Sequence, residues 1–127
     1  MGVRRYEDLV VWQLATDLKK QVYELLDNSP ARSDRTFCDQ LRDAASSAPR
    51  NLAEGFGAYN HGDFARYARI ARSSLLETHN HLGDGVDRRY WSRDVAARHQ
   101  QLADRAIGAV TRLLEYLKRT AAPSSWQ

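Results

Sequence analysis

Two short segments hold the side chains best placed to do chemistry: Asn51-Leu52-Ala53-Glu54-Gly55 and, about twenty residues later, Ser73-Ser74-Leu75-Leu76-Glu77. A pair of carboxylates such as Glu54 and Glu77 could in principle do general acid/base work, one member protonated and the other charged. The apolar pattern around them argues otherwise. Both glutamates fall off the centres of their hydrophobic stripes and no pocket is implied, so ion pairs or hydrogen bonds that fix helix register or a subunit contact are the better reading. Asn51 lies nearer a stripe edge and must find partners if it is buried. Ser73 and Ser74 have no evident His/Asp partners for nucleophilic attack.

A metal centre is tested by spacing. A di-iron site in a helical bundle takes a glutamate from each of two helices and Glu-x-x-His from each of the other two. The run Glu77-Thr78-His79-Asn80-His81 has the wrong spacing, His61 falls in a connection, His99 stands alone on the last helical segment, and Glu115 is near that segment's far end. The expectation is no metal, no cofactor and no catalytic residue. The single cysteine, Cys38, sits beside Phe37 and reads as a small core filler.

Charge is distributed unevenly. The net charge is +3, but residues 1–63 hold 8 Lys+Arg against 10 Asp+Glu, whereas residues 64–127 hold 11 against 6. Arg98, Arg105, Arg112 and Arg119 recur every seven residues and form one nearly straight row on a helix. Arg66 and Arg69, with Arg72, climb the preceding segment. Two readings fit: a solvated face with local pairs such as Arg50–Glu54 and Asp94–Arg98, or a basic track that neutralises phosphates or acidic side chains across a contact.

Four helices must position these groups. The 127 residues suffice for one domain with one core. Val11, Ala15, Leu18, Val22 and Leu25 step by four and three over residues 7–27. Asn28-Ser29-Pro30 ends that helix, and Ser33 or Asp34 offers the next N-cap. Phe37, Leu41, Ala44, Ala48 and Leu52 continue to Gly55 and Tyr59, with Pro49 predicted to kink the helix. Phe64, Ala68, Ala71, Leu75, Leu82 and Val86 form the third stripe, weakened at its end by Gly83 and Gly85. After Ser92, the residues Val95, Leu102, Ala106, Val110, Leu113 and Leu117 form the fourth, to about residue 119. The prediction is an all-α, antiparallel up-down four-helix bundle over residues 1–120, followed by a flexible tail over 121–127. The N-terminus lacks the apolar run of a signal peptide and no eighteen apolar residues are contiguous, so the expected setting is cytoplasmic, away from membrane.

More apolar surface is present than one core needs. Ala96, Ala103, Ile107 and Leu114 flank the fourth stripe, Trp12 and Tyr23 share a flank of the first helix, and Ile70 and Leu76 point away from the third core face. Surplus on three helices predicts self-association, with Trp12, Tyr23, Ile70, Leu76, Ile107 and Leu114 as interface candidates.

Asp8-Leu9-Val10-Val11-Trp12-Gln13, Gln40-Leu41-Arg42-Asp43-Ala44-Ala45, the Asn51–Gly55 segment and the Ser73–Glu77 segment together resemble the 23S ribosomal RNA intervening-sequence family, over about residues 6 to 118. The resemblance implies a cytoplasmic four-helix bundle assembled as a homopentameric ring. It also implies kinship with the accessory subunit of diversity-generating retroelements, a basic pentamer that binds nucleic acid and its reverse transcriptase. Asn51, Glu54, Gly55, Ser74 and Glu77, together with Arg42, match the family's motif positions and read as structural. Acidic Asp84, Asp87, Asp94 and Asp104 dilute the arginines relative to those accessory subunits.

The functional expectation is a non-catalytic, homo-oligomeric scaffold, pentameric by resemblance. RNA or DNA would lie on Arg66, Arg69, Arg98, Arg105, Arg112 and Arg119. The alternative is a protein-interaction module for an acidic partner or one encoded nearby, a reverse transcriptase included, without nucleic-acid binding.

Overall fold

A computed structural model describes residues 2–120; the tail expected over residues 121–127 lies outside the described residues. Four helices follow in order, α1 (Val10–Asp27), α2 (Arg35–Phe56), α3 (His61–Asp87) and α4 (Arg93–Arg119). Each packs on its two neighbours around a ring, α4 closing back onto α1. Residue pairs run in opposite directions along the seams: Ser47 meets Ser74 and Gly55 meets Phe64 between α2 and α3. Arg72 meets Thr111 and His79 meets Asp104 between α3 and α4. The four-helix bundle is the expected one.

The helix starts are explained by side chains. Asp34 Oδ1 accepts the Phe37 N–H at 3.2 Å, Asn60 Oδ1 accepts the Asp63 N–H at 2.8 Å, and Ser92 Oγ accepts the Val95 N–H at 3.2 Å. Each satisfies one of the N–H groups a helix start leaves open. The first helix begins later than expected. Tyr6–Asp8 form a separate 3₁₀ turn, and Leu9 is extended as it enters the core, so the α-helix starts at Val10.

α2 runs unbroken through Pro49, which is buried, so the proline does not split the helix. α3 likewise runs through Gly83 and Gly85 to Asp87. There the Trp91 indole lies directly on Gly85: a Cβ would come within 2.1 Å of the ring, and the indole N–H donates to the Leu82 carbonyl at 2.8 Å. The turn that brings Trp91 back is closed by two hydrogen bonds, Tyr90 N–H to Gly85 O and Arg89 N–H to Val86 O, with Arg89 in the left-handed region at φ 65°.

Leu18, Leu26, Leu41, Leu52, Leu75, Leu82 and Leu117 are fully buried along the bundle axis, each contributing about 1.5–3 kcal/mol relative to exposure. Three expectations are corrected. Leu26, not Leu25, closes the α1 stripe, and Tyr59 leaves the α2 stripe altogether at 97% exposure. Ala96 and Ala103 are buried within their own protomer instead of flanking it.

Asp34 also ties the two connections at one end of the bundle. Beyond capping α2, its Oδ2 accepts from Arg88 Nη1 at 3.2 Å and from the Tyr90 hydroxyl. Arg88 is held in turn by Asp84 at 2.8 Å and lies 5.3 Å above the Phe37 ring. The Tyr90 hydroxyl above all, then the Phe37 N–H, and the Arg88 guanidinium hold the Asp34 carboxyl below the usual carboxylate range. A lowered pKa gives stability that is present above the unfolded carboxylate pKa of about 3.9 and is lost as pH falls through the folded value. Asn is an equally good N-cap. Asp34→Asn should therefore lower the urea midpoint at pH 6–7, and its gap from wild type should close below about pH 4; a gap that does not change with pH would refute this role.

Candidate functional site

The two segments that open the sequence meet in the α2–α3 seam. α2 is small here: Ala44, Ala45 and Ala48 are buried. The Asn51 amide donates to the Ser47 carbonyl at 2.8 Å and to its hydroxyl at 3.0 Å. Ser74 Oγ, only 7% exposed, lies 2.7 Å from Ser47 Oγ and 3.0 Å from the Ile70 carbonyl. One turn on, buried Thr78 donates to the Ser74 carbonyl at 2.8 Å. This is a polar ladder in which Ser47 joins Asn51 to Ser74. Gly55 completes the seam, since a Cβ there would fall 2.6 Å from the Phe64 ring and 3.0 Å from Tyr67 Cβ.

Ser47 and Thr78 were not singled out by sequence. Ser47 carries a signal in hindsight, as it precedes Asn51 by one helical turn inside an alanine-rich stripe. Arg42 acts at the other seam, reaching Asp27 at the end of α1 at 3.1 Å.

The two glutamates do not join the ladder. Glu54 and Glu77 are exposed, and among the described residues Glu77 reaches only His81, at 3.6 Å. The remaining histidines are spread apart. His79 Nε2 lies 3.4 Å from Asp104, His99 Nδ1 lies 2.8 Å from the Val95 carbonyl, and His61 Nδ1 lies 3.0 Å from the Thr120 carbonyl. Among the described residues no cluster of three or more His, Cys, Asp or Glu could hold a metal ion. Cys38 is buried with its thiol donating to the Ala31 carbonyl at 3.0 Å, and burial pushes its pKa up.

The arginines present a different picture. Arg98, Arg105, Arg112 and Arg119 are all exposed on α4, and none pairs with a carboxylate among the described residues. The predicted Arg50–Glu54 and Asp94–Arg98 pairs are absent among the described residues as well. On α3, Arg66 lies 4.5 Å over the Tyr67 ring, and Arg72 donates to Thr111 at 3.1 Å. Arg69 borders a groove of about 550 Å³ between α3 and α4, opposite Leu114, Glu115 and Lys118. The structure thus unites Arg69, a basic candidate, with Leu114, an interface candidate.

Among the apolar candidates, Ile70 and Leu76 are exposed, at 40% and 45%. Trp12, Tyr23, Ile107 and Leu114 are half-buried. Trp12 packs edge-on against Tyr6 at 5.3 Å, and Trp12, Ile107 and Leu114 rest on the core of their own protomer.

A family model described as 23S rRNA-intervening sequence protein matches residues 7–112. The chain belongs to that family. The match runs from the turn before α1 into the last third of α4, so it contains the whole ladder and three of the four α4 arginines. Comparison with curated proteins gave no match. Among the described residues no helix is long and apolar enough to cross a membrane.

If the family segments act by building the seam, the ladder and the glutamates should respond differently to substitution. Ser47→Ala removes the shared hydroxyl and should cost about 1 kcal/mol in chemical denaturation. Glu54→Gln and Glu77→Gln, at exposed positions, should stay within about 0.5 kcal/mol of wild type. Equal losses at all three would contradict a division of labour inside the motif.

Proposed function

We propose that this protein is a non-catalytic helical scaffold that works as a homo-oligomer, a pentamer by its family resemblance, and holds nucleic acid on the arginine rows of α3 and α4. The observation that carries the reading is the α4 row: four arginines on one exposed face without carboxylate partners among the described residues. Over α4 as a whole, six cations stand against three carboxylates. Unpaired guanidinium groups are free to contact phosphate oxygens, and each contact releases condensed counterions. A ring of subunits would repeat the row and multiply a field that is weak on one protomer.

Ile70 and Leu76 support the oligomeric part, being large apolar side chains exposed on the outer face of α3. The same two residues, with Arg66 and Arg69 on that helix, also favour a second reading. In it, the partner on α3 is an acidic or neighbour-encoded protein, such as a reverse transcriptase, and no nucleic acid is bound.

The experiment is a binding titration at several salt concentrations, with native mass spectrometry on the same sample. Wild type should assemble and lose affinity steeply with salt. Arg105→Glu with Arg112→Glu should reduce the slope of log K against log salt by about 1.5–2 and leave assembly intact. A monomer at micromolar concentration would sink the scaffold. Salt-independent or absent binding would remove the nucleic-acid part.

A further inference from the structure

The α4 arginine row ends where five separate parts of the chain converge. The Thr120 carbonyl lies 3.0 Å from His61 Nδ1, which places the end of α4 against the turn between α2 and α3. At this end a pocket of about 290 Å³ is lined by Val3, Phe56, Tyr59, Asn60, Phe64 and Tyr116, together with His61, Gly2 and Ala58. These residues come from the stretch before α1, the end of α2, the connecting turn, the start of α3 and the last turn of α4. We infer that this pocket receives one unpaired nucleobase of a single-stranded nucleic acid whose phosphates lie along the α4 row. The inference rests on the nucleic-acid reading given above.

Size and lining both fit a flat heteroaromatic ring. The volume is at the bottom of the range of about 300–1,000 Å³ for small-molecule pockets, which suits one ring system and excludes a base pair. Phe56 and Phe64 form an edge-to-face pair with centroids 6.4 Å apart and planes at 88°. Phe64 reaches that position because Gly55 has no side chain in its way. Tyr59 stands at the rim and is 97% exposed, so its ring has no packing role within the protomer. An aromatic ring in that setting is a stacking surface, and base–aromatic stacking is indifferent to base identity.

The polar groups agree. Among the described residues no carboxylate lines the pocket. Asn60 uses its side-chain oxygen on the Asp63 N–H, which leaves its amide N–H donors for a base carbonyl or ring nitrogen. Lys118 and Arg119 follow Tyr116 on α4, and Arg4 follows Val3; all three are exposed and positively charged. The row from Arg98 to Arg119 spans roughly 32 Å at about 1.5 Å per residue. A single strand can follow such a straight track and turn one base into its end. A duplex keeps its bases stacked and paired, away from the pocket.

The test uses the full chain and fluorescence anisotropy with labelled oligothymidylate of about twelve nucleotides. A strand of the same length and charge made of abasic sites is the comparison, and both are measured over a range of salt. Wild type should bind the abasic strand about tenfold more weakly. Tyr59→Ala, at a position too exposed to disturb folding, should bind both strands with the weaker affinity and keep the wild-type salt slope. Tyr59→Phe should restore discrimination. Equal binding of the two strands by wild type would overturn the pocket while leaving the arginine reading standing. Full discrimination in Tyr59→Ala would also overturn it, and failure to bind either strand would remove the nucleic-acid reading and this inference together.

Discussion

The structure depends on how closely α2 and α3 approach each other. Packed helices keep their axes about 8–10 Å apart, the distance set by the side chains at the contact. Here α2 presents Ala44, Ala45 and Ala48 to its neighbours, all buried, and Gly55 against the Phe64 ring. Side chains this small supply less apolar area than larger ones would. The Ser47–Ser74 hydrogen bond and the Asn51 amide offset part of that shortfall, and they fix the register because hydroxyl and amide geometry is directional.

Register then propagates to the two ends. At one end Asp34 binds Arg88 and Tyr90 across the bundle, so the α1–α2 and α3–α4 connections are held by a single carboxylate. At the other, Phe64 is carried into contact with Phe56, and the start of α3 meets the end of α4 through His61 and Thr120. The outward face of α4 is left with its arginines in one row. What the family segments contribute is this geometry, with their carboxylates on the outside.

Much of this was legible in the sequence, and the failures have physical causes. Helix number and order followed from apolar period and from Asn28-Ser29-Pro30 and Ser92 as punctuation. Leu26 closes the α1 stripe where the spacing predicts Leu25, because a 3.6-residue period drifts against a pattern counted in threes and fours. Ala96 and Ala103 read as a surplus flank but are buried, because alanine is ambiguous: a bundle core admits it wherever a neighbour comes close. The Arg50–Glu54 and Asp94–Arg98 pairs fit the spacing but are absent among the described residues, as expected where solvent competes for both partners. Trp91 on Gly85, Tyr90 on Asp34 and the aromatic pocket were not readable, since each joins residues brought together only by turns or tertiary packing.

The seam is tested most directly by placing a methyl group in it. Gly55→Ala puts a Cβ 2.6 Å from the Phe64 ring. Gly57→Ala, two residues on, places one at 3.6 Å from its nearest neighbour, ordinary contact. Measured side by side in urea, Gly55→Ala should lose about 1–3 kcal/mol and Gly57→Ala should stay within about 0.5 kcal/mol of wild type. Equal stability of the two variants would mean that the close approach of α2 and α3 does not hold the fold together.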